Sequence, residues 1–391
     1  MRRSPLLDRH RAAEAELLTY GPPEAGVELP ECFGSIELEY AAIRKHAGLL
    51  DQPNRGVLAI TGDDRRDFLS RMLTQDLASL APYGLMRSFW LNRKGRIVAD
   101  LRVIELDDRT LLDLDVHAAE PTAESLDGYL FSEDCTIVDQ TEVLHRLALH
   151  GPNGATVLAG VTTHRAGPTL DGLPDGGACV VEFDGAEVIA ARDDTAGSPG
   201  LELFVPSDRA ADLYDRLAAA PRDADAKPPE PPDPSRARPT GWHAFNTARI
   251  EAGTPLFNLD FGPDSLPNET AVLRDRVSFD KGCYLGQEIV ARIESHGGPK
   301  RTLVALRFTS DAAETPQPAT GAHLFGAGDA AGDPVGAVTS STISPMLGAE
   351  PIAFAVVRTN LVEPGTELEV FADGGRARAA VQPQLSFLQR D

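Results

Sequence analysis

The chain has 391 residues, room for two or three domains at about 150 residues each. Apolar residues make up 42% and charged residues 25%, the mix of an ordinary globular protein. With 59 acidic against 37 basic side chains the net charge is −22, a field that repels phosphate backbones and anionic lipid and so argues against general nucleic-acid binding or a membrane role.

Residues 1–18 mix Arg9 and Arg11 with Asp8, Glu14 and Glu16 and predict an amphipathic helix. The segment lacks the apolar core of a secretory signal and is too acidic for a transit peptide. Residues 21–31, rich in Gly and Pro, predict a linker, so that 1–31 forms an N-terminal helix-and-linker region. Val57–Ile60 predicts a buried strand. Gly62-Asp63-Asp64 then opens a helix with Phe68, Leu69, Met72 and Leu73 on one face. Asn92-Arg93-Lys94-Gly95 predicts a hairpin turn, followed by a strand with Ile97, Ala99, Leu101 and Val103 on one face and Val98, Asp100, Arg102 and Ile104 on the other. A second hairpin is expected at Asp107-Asp108, and a helix over 119–131. Strands are expected at 143–149, 178–183, 187–192 and 201–205, with Ser207 capping a helix that carries Ala210, Leu213 and Leu217. The seven prolines of 221–239 predict an extended connector. Thr240–Glu251 predicts a helix stopped by Gly253. From Arg301 onward, short β-rich runs at 303–308, 335–339, 352–358, 367–371 and 377–381 predict a small antiparallel barrel or sandwich. The glycines at 326, 328, 332 and 336 read as a β-turn, because no Gly-Lys-Ser/Thr follows them.

The cysteines, Cys32, Cys135, Cys179 and Cys283, are widely spaced, which excludes a disulfide scaffold and a zinc ribbon. A reduced, cytoplasmic chain is expected. There is no apolar run near 18 residues, so no transmembrane helix is expected. The histidines do not cluster at metal spacing, no metal site is expected, and His145 reads as a solvent-facing strand residue. One segment carries more: Lys281-Gly282-Cys283-Tyr284-Leu285-Gly286-Gln287-Glu288. Close backbone approach at Gly282 and Gly286 would leave the thiol accessible, and the Lys281 ammonium would favour its thiolate. A small buried Cys in a Gly turn accounts equally well for the residues taken alone.

This segment resembles the signature of the YgfZ family of folate-binding proteins at Lys281, Gly282, Cys283, Tyr284, Gly286, Gln287 and Glu288. Residues 57–76, 91–103, 147–158, 200–208 and 248–261 are similar, in order, to landmarks of the glycine-cleavage T-protein superfamily. The resemblance covers roughly residues 36–388. It implies an α+β fold, three-lobed and aminomethyltransferase-like, with a central folate channel and a C-terminal antiparallel β-barrel. The implied domains are folate-binding lobes over 32–300 and a barrel over 301–391.

The resemblance also implies site residues. Asp100 matches the aspartate that sits at the reactive nitrogen of the pterin side, and Arg249, followed by Glu251, matches a folate-site motif; the residues alone allow a solvated strand carboxylate and a helix salt bridge instead. Cys283 and Asp100 would be the catalytic groups. Asp100, Arg249 and Glu251 would bind tetrahydrofolate or a one-carbon derivative. Two departures from aminomethyltransferases stand out. Ser198 occupies the place of a pterin-binding Glu, and the Lys-Gly-Cys run is foreign to the glycine-cleavage enzymes. They point to an accessory protein that partners iron–sulfur client or assembly proteins, including tRNA-modifying clients. A tetrahydrofolate-dependent aminomethyl or one-carbon transferase is the alternative.

Overall fold

The computed structural model describes residues 3–218, 235–309, 315–328, 332–372 and 375–388. Most of the expected Pro-rich connector, residues 219–234, lies outside them. The chain divides into two units. The first takes Met1–Met72, Asp76–Ser88 and Leu101–Phe245; the second takes Leu73–Gln75, Phe89–Asp100 and Asn246–Asp391.

The first unit is built on a seven-stranded sheet. Its strands lie in the order Thr163–Ala166, Ala178–Phe183, Ala186–Arg192, Gly200–Pro206, Leu144–His150, Gly48–Asp51, Arg238–Pro239. Side chains alternate across a strand, so each face has its own composition. One face presents Leu49, Leu147, Leu149, Leu201, Leu203 and Val205, which form a core with Ala210, Leu213 and Leu217 of the helix Ala210–Leu217. That helix has no side-chain cap; the expected cap, Ser207, instead donates to the Glu142 carbonyl at 2.8 Å. The opposite face contributes Ile189, Ala191 and Phe204 to a second core with Val57, Ala59, Ile104 and Leu111. These last four come from a five-stranded sheet in the order Leu85–Leu91, Ile97–Glu105, Thr110–Asp115, Arg55–Thr61, Thr136–Asp139. The far ends of its first two strands, with the turn joining them, count with the second unit.

Four expectations for this unit are corrected. The N-terminal helix is short, Leu7–Ala12, and ends just before Glu14 takes a positive φ of 53°. Beyond it, Glu16–Tyr20 and Val27–Cys32 pair antiparallel, so the expected linker is a hairpin. Val27 and Leu29 alternate with Glu28 and are buried, and that period of two outweighs the prolines. The helix expected over 119–131 runs Val116–Asp127, because the Asp115 carboxylate caps it by accepting from the His117 N–H at 2.9 Å. His145 does not face solvent. It is buried and donates to Asp51 at 2.6 Å; the same carboxylate accepts from His10 at 2.7 Å and from the Ser4 hydroxyl at 2.6 Å. A burial cost that no periodicity reveals is thus met by hydrogen bonds that tie residues 4–10 to the sheet.

The second unit contains a closed barrel. Its neighbours in order are Arg301–Thr309, Glu350–Arg358, Gly336–Ser344, His323–Gly326, Glu367–Ala372 and Gly375–Val381, the last pairing back to the first. Leu306, Phe308, Leu324, Val338, Val357, Leu368 and Val370 fill it. Two of the glycines expected in a turn, Gly326 and Gly336, lie in strands, and a Cβ on Gly336 would stand 2.5 Å from the Val356 carbonyl. Phe308→Ala is expected to lower unfolding stability by about 3–5 kcal/mol, read as a fall in urea midpoint with unchanged slope.

Candidate functional site

In the second unit the segment 281–288 is held against the hairpin turn of residues 92–96. The turn closes as Gly95 N–H donates to the Asn92 carbonyl at 2.9 Å, while the Asn92 side chain accepts from the backbone N–H groups of Lys94 and Arg96. Gly286, at φ 82°, opens the helix Gln287–Ser295, and a Cβ there would stand 2.8 Å from the Asn92 carbonyl oxygen. Gly95 is equally constrained, with Ile289 Cβ at 2.9 Å from the position of a Cβ. Gly282, where close approach was also expected, has open space around it.

Cys283 is exposed. Lys281 Nζ donates to the carbonyls of Leu73 at 2.8 Å and Gln75 at 2.9 Å, so its ammonium fastens the 281–288 segment to the 73–75 turn. Tyr284 is buried beside it, and burial pushes its phenol up to about 12. Gln287 and Glu288 begin the helix, where a carboxylate complements the positive end.

Asp100 keeps 13% of its side-chain surface exposed and accepts from Arg276 Nε at 3.1 Å. Arg276 is buried, and its own carbonyl accepts from the Thr74 hydroxyl at 2.7 Å. Sequence reasoning missed Arg276; it stands in the short helix Leu273–Arg276, where nothing in the pattern marks it. Arg249 is fully buried. Its guanidinium donates to Asp260 at 2.7 Å, Ser340 at 2.7 Å, Asn246 at 2.9 Å and the Thr254 carbonyl at 3.1 Å. Glu251 is buried too, accepting from the Ser344 hydroxyl. These two side chains thus tie the helix Trp242–Ala252 to the barrel strand Gly336–Ser344.

The first unit carries a second polar cluster. Arg146, Ala148 and His150 alternate onto one face of their strand, directly opposite Phe204, Glu202 and Gly200. Arg146 donates to Glu202 at 2.8 Å and stacks on Phe204 at 3.6 Å. Arg102 donates to Asp113 at 2.8 Å, to Thr195 at 3.1 Å and to Asp193, which also accepts from Arg87. Burial alone would raise the Asp193 and Asp113 pKa values, but the surrounding guanidiniums outweigh it and hold both carboxyls far below the usual range.

Beside these pairs, His150 is buried with neither ring nitrogen hydrogen-bonded, and burial lowers its pKa. The Ser198 hydroxyl oxygen is likewise buried and unpartnered. A buried polar group without a partner costs about 1–3 kcal/mol. His150 lies immediately before Gly151-Pro152, inside one of the landmark segments, which is the only mark the sequence gives it.

Residues 6–281 match the model of the GCVT N-terminal domain, and residues 301–387 match that of the glycine cleavage T-protein C-terminal barrel domain. The chain belongs to the glycine-cleavage T-protein family. It is 29% identical over 378 residues to an aminomethyltransferase of Chlorobium chlorochromatii (strain CaD3), covering 96% of this chain and 95% of that one. It is 28% identical over 384 residues to an aminomethyltransferase of Geobacillus sp. (strain WCH70), covering 97% of each. Its structure is similar to the crystal structure of glycine cleavage system aminomethyltransferase T from Bartonella henselae, with a TM-score of 0.81 and 26% identity over 99% of this chain and 98% of that chain. The mixed α/β architecture and the closed barrel are therefore those of the T-protein fold. Among the described residues, no helix is long and apolar enough to cross a membrane.

The Asp193 pairs give a pH dependence. Its folded-state pKa is depressed, so its contribution is complete above the unfolded value of about 3.9 and is lost progressively as pH falls below that toward the depressed folded-state pKa. Asp193→Asn is expected to lose about 3–5 kcal/mol at pH 7, since it removes a carboxylate charge shared by Arg87 and Arg102. It should then lose less further stability than the wild type between pH 5 and pH 2.5, measured by urea unfolding across that range.

Proposed function

We propose that this protein is a tetrahydrofolate-dependent aminomethyl or one-carbon transferase of the T-protein type. The observation that carries the reading is Asp100: a mostly buried carboxylate with one oxygen held by Arg276 and part of its surface open, on the strand where the family resemblance puts the residue at the folate nitrogen. End-to-end similarity to aminomethyltransferases supports it. The residues present fit tetrahydrofolate, because Asp100 is a largely buried carboxylate that keeps part of its surface open to a ligand nitrogen. Tetrahydrofolate, when bound, supplies the nitrogen that receives the one-carbon group. Asp100 would hold that nitrogen and stabilise the positive charge that builds on it as it takes up the group, and Arg276 would fix the orientation of the carboxylate. With four hydrogen-bond partners of its own, Arg249 serves as a positioning residue that braces the helix Trp242–Ala252, and Glu251 does the same through Ser344.

A second reading, the YgfZ-type accessory role in iron–sulfur cluster assembly or repair, is favoured by one specific observation. Cys283 is exposed and Lys281 is spent on anchoring its segment, an arrangement suited to presenting a thiol to a client protein. In that reading the folate is bound without turnover, and Cys283 is the group that acts.

Two measurements test these readings. Under anaerobic conditions tetrahydrofolate should quench Trp fluorescence saturably, and Asp100→Ala should weaken binding or turnover. Absence of wild-type binding at millimolar folate would sink both readings. With an aminomethyl-lipoyl carrier, the wild type and Cys283→Ala should release ammonia at equal rates. No ammonia from the wild type, together with loss of client rescue in Cys283→Ala, would instead establish the accessory role.

A further inference from the structure

We propose that Lys281 is a positioning residue for Asp100: its ammonium holds the turn of residues 73–75 in the shape that sets Arg276 against that carboxylate. The inference rests on the folate reading above. It gives the lysine of the 281–288 segment a task other than activating the neighbouring thiol. Leu73–Gln75, Phe89–Asp100 and residues 275–281 all belong to the second unit. The first two are the stretches at which the first unit's run of the chain is interrupted, and both are tied to the third.

The turn is a junction of hydrogen bonds. Lys281 Nζ donates to the carbonyls of Leu73 at 2.8 Å and Gln75 at 2.9 Å, one on each side of Thr74. Thr74 is fully buried. Its N–H donates to the Phe89 carbonyl at 3.1 Å, and its hydroxyl accepts from the Phe89 N–H at 2.9 Å and donates to the Arg276 carbonyl at 2.7 Å. Its own carbonyl accepts from the Ser278 N–H at 3.0 Å, and the Gln75 side chain donates to the Asp275 carbonyl at 3.2 Å. Thr74 and Gln75 thus grip the main chain before, at and after Arg276.

Phe89 lies on the strand Leu85–Leu91, the sheet neighbour of the strand Ile97–Glu105 that carries Asp100. The contacts therefore close a circuit. Asp100 accepts from Arg276 Nε at 3.1 Å, the Arg276 main chain is bonded to Thr74, Thr74 is bonded to Phe89, and the sheet leads from Phe89 back to Asp100. The guanidinium is fixed relative to the carboxylate because both are anchored to one sheet. Hydrogen bonds from a charged donor are stronger than those from a neutral one, and two of the three ammonium donors of Lys281 are taken up by main-chain oxygens of the turn. A catalytic group displaced by about 1 Å can lose about a hundredfold in rate, so loosening the turn reaches Asp100 without any contact between Lys281 and the ligand.

The test is a double-mutant cycle on the full chain, read as ammonia release from an aminomethyl-lipoyl carrier at saturating tetrahydrofolate. Lys281→Met should lower the rate about tenfold, and Lys281→Arg, which keeps donors for both carbonyls, should recover most of that loss. In an Asp100→Asn background the further loss from Lys281→Met should shrink to less than about twofold, whereas in a Cys283→Ala background it should stay about tenfold. Gln75→Ala, which leaves both Lys281 bonds in place, should show the same dependence on Asp100, and it carries the test if Lys281→Met folds poorly. A lysine effect that survives Asp100→Asn and vanishes with Cys283→Ala would overturn the inference, since the ammonium would then serve the thiol. Equal loss in every background would overturn it too, as would a fall in urea midpoint with the rate per folded molecule unchanged, the mark of a purely structural tie. All of these results spare the folate reading. A wild type that binds tetrahydrofolate without releasing ammonia moves the cycle to the tetrahydrofolate dissociation constant, where the same criteria apply. A wild type that does not bind tetrahydrofolate overturns the folate reading and this inference with it.

Discussion

The first unit is organised around arginines buried between its sheets. Asp113 alone is within ion-pair distance of Arg55 at 3.0 Å, Arg102 at 2.8 Å and Arg146 at 3.4 Å. Taking these charges out of water is costly, and their mutual attraction offsets the cost only where geometry supplies several hydrogen bonds to each. Arg102 meets that condition by bonding Asp113, Asp193 and Thr195 at once. Arg146 meets it less well: its pKa is lowered, burial being the largest cause, and it is compensated by Glu202 and by the face of Phe204. An apolar filling would be easier to build. The charged one fixes which strand faces which, because a slip by one residue would put Arg146 and Glu202 into the apolar core on the other face.

The second unit uses a different constraint, close backbone approach. Gly95 and Gly286 let the turn of residues 92–96 touch the start of the helix Gln287–Ser295, and Lys281 adds a third tie to the carbonyls at 73 and 75. Sequence-distant pieces are joined here through main-chain atoms, which leaves the exposed Cys283 side chain outside the joint. Asp100 and Arg276 belong to the same unit and are joined by side chains instead.

What could be read in advance follows from what each signal measures. Alternation and turn glycines located the strands Ala178–Phe183, Ala186–Arg192 and the barrel strand Arg301–Thr309, since burial of one face writes itself into every second residue. The hairpin of residues 16–32 was obscured by its prolines, and the strand His323–Gly326 by its glycines, because local propensity there opposes a pairing that tertiary packing imposes. For the candidate site, the family resemblance singled out Asp100, Arg249, Glu251 and the segment around Cys283. It did not reach Arg276, Asp193 or His150, whose importance depends on partners, or on the lack of them, brought together from far along the chain. Buried hydrogen-bonding networks have no period, so a charged residue destined for the interior looks in the sequence like one destined for water. His145 shows the same blindness in a plainer setting.

The closed barrel has a consequence for the order in which the protein is made. Its first strand, Arg301–Thr309, pairs along one edge with Glu350–Arg358 and along the other with Gly375–Val381, the last strand among the described residues. The ring cannot shut until the final strand has left the ribosome, whereas the first unit has all its residues by Phe245. During synthesis the N-terminal unit can therefore fold on the ribosome, while an unfinished barrel exposes a bare strand edge. A chain truncated before Gly375 would keep that edge for good, and so would be a substrate for chaperones and proteases even though all of the first unit is present.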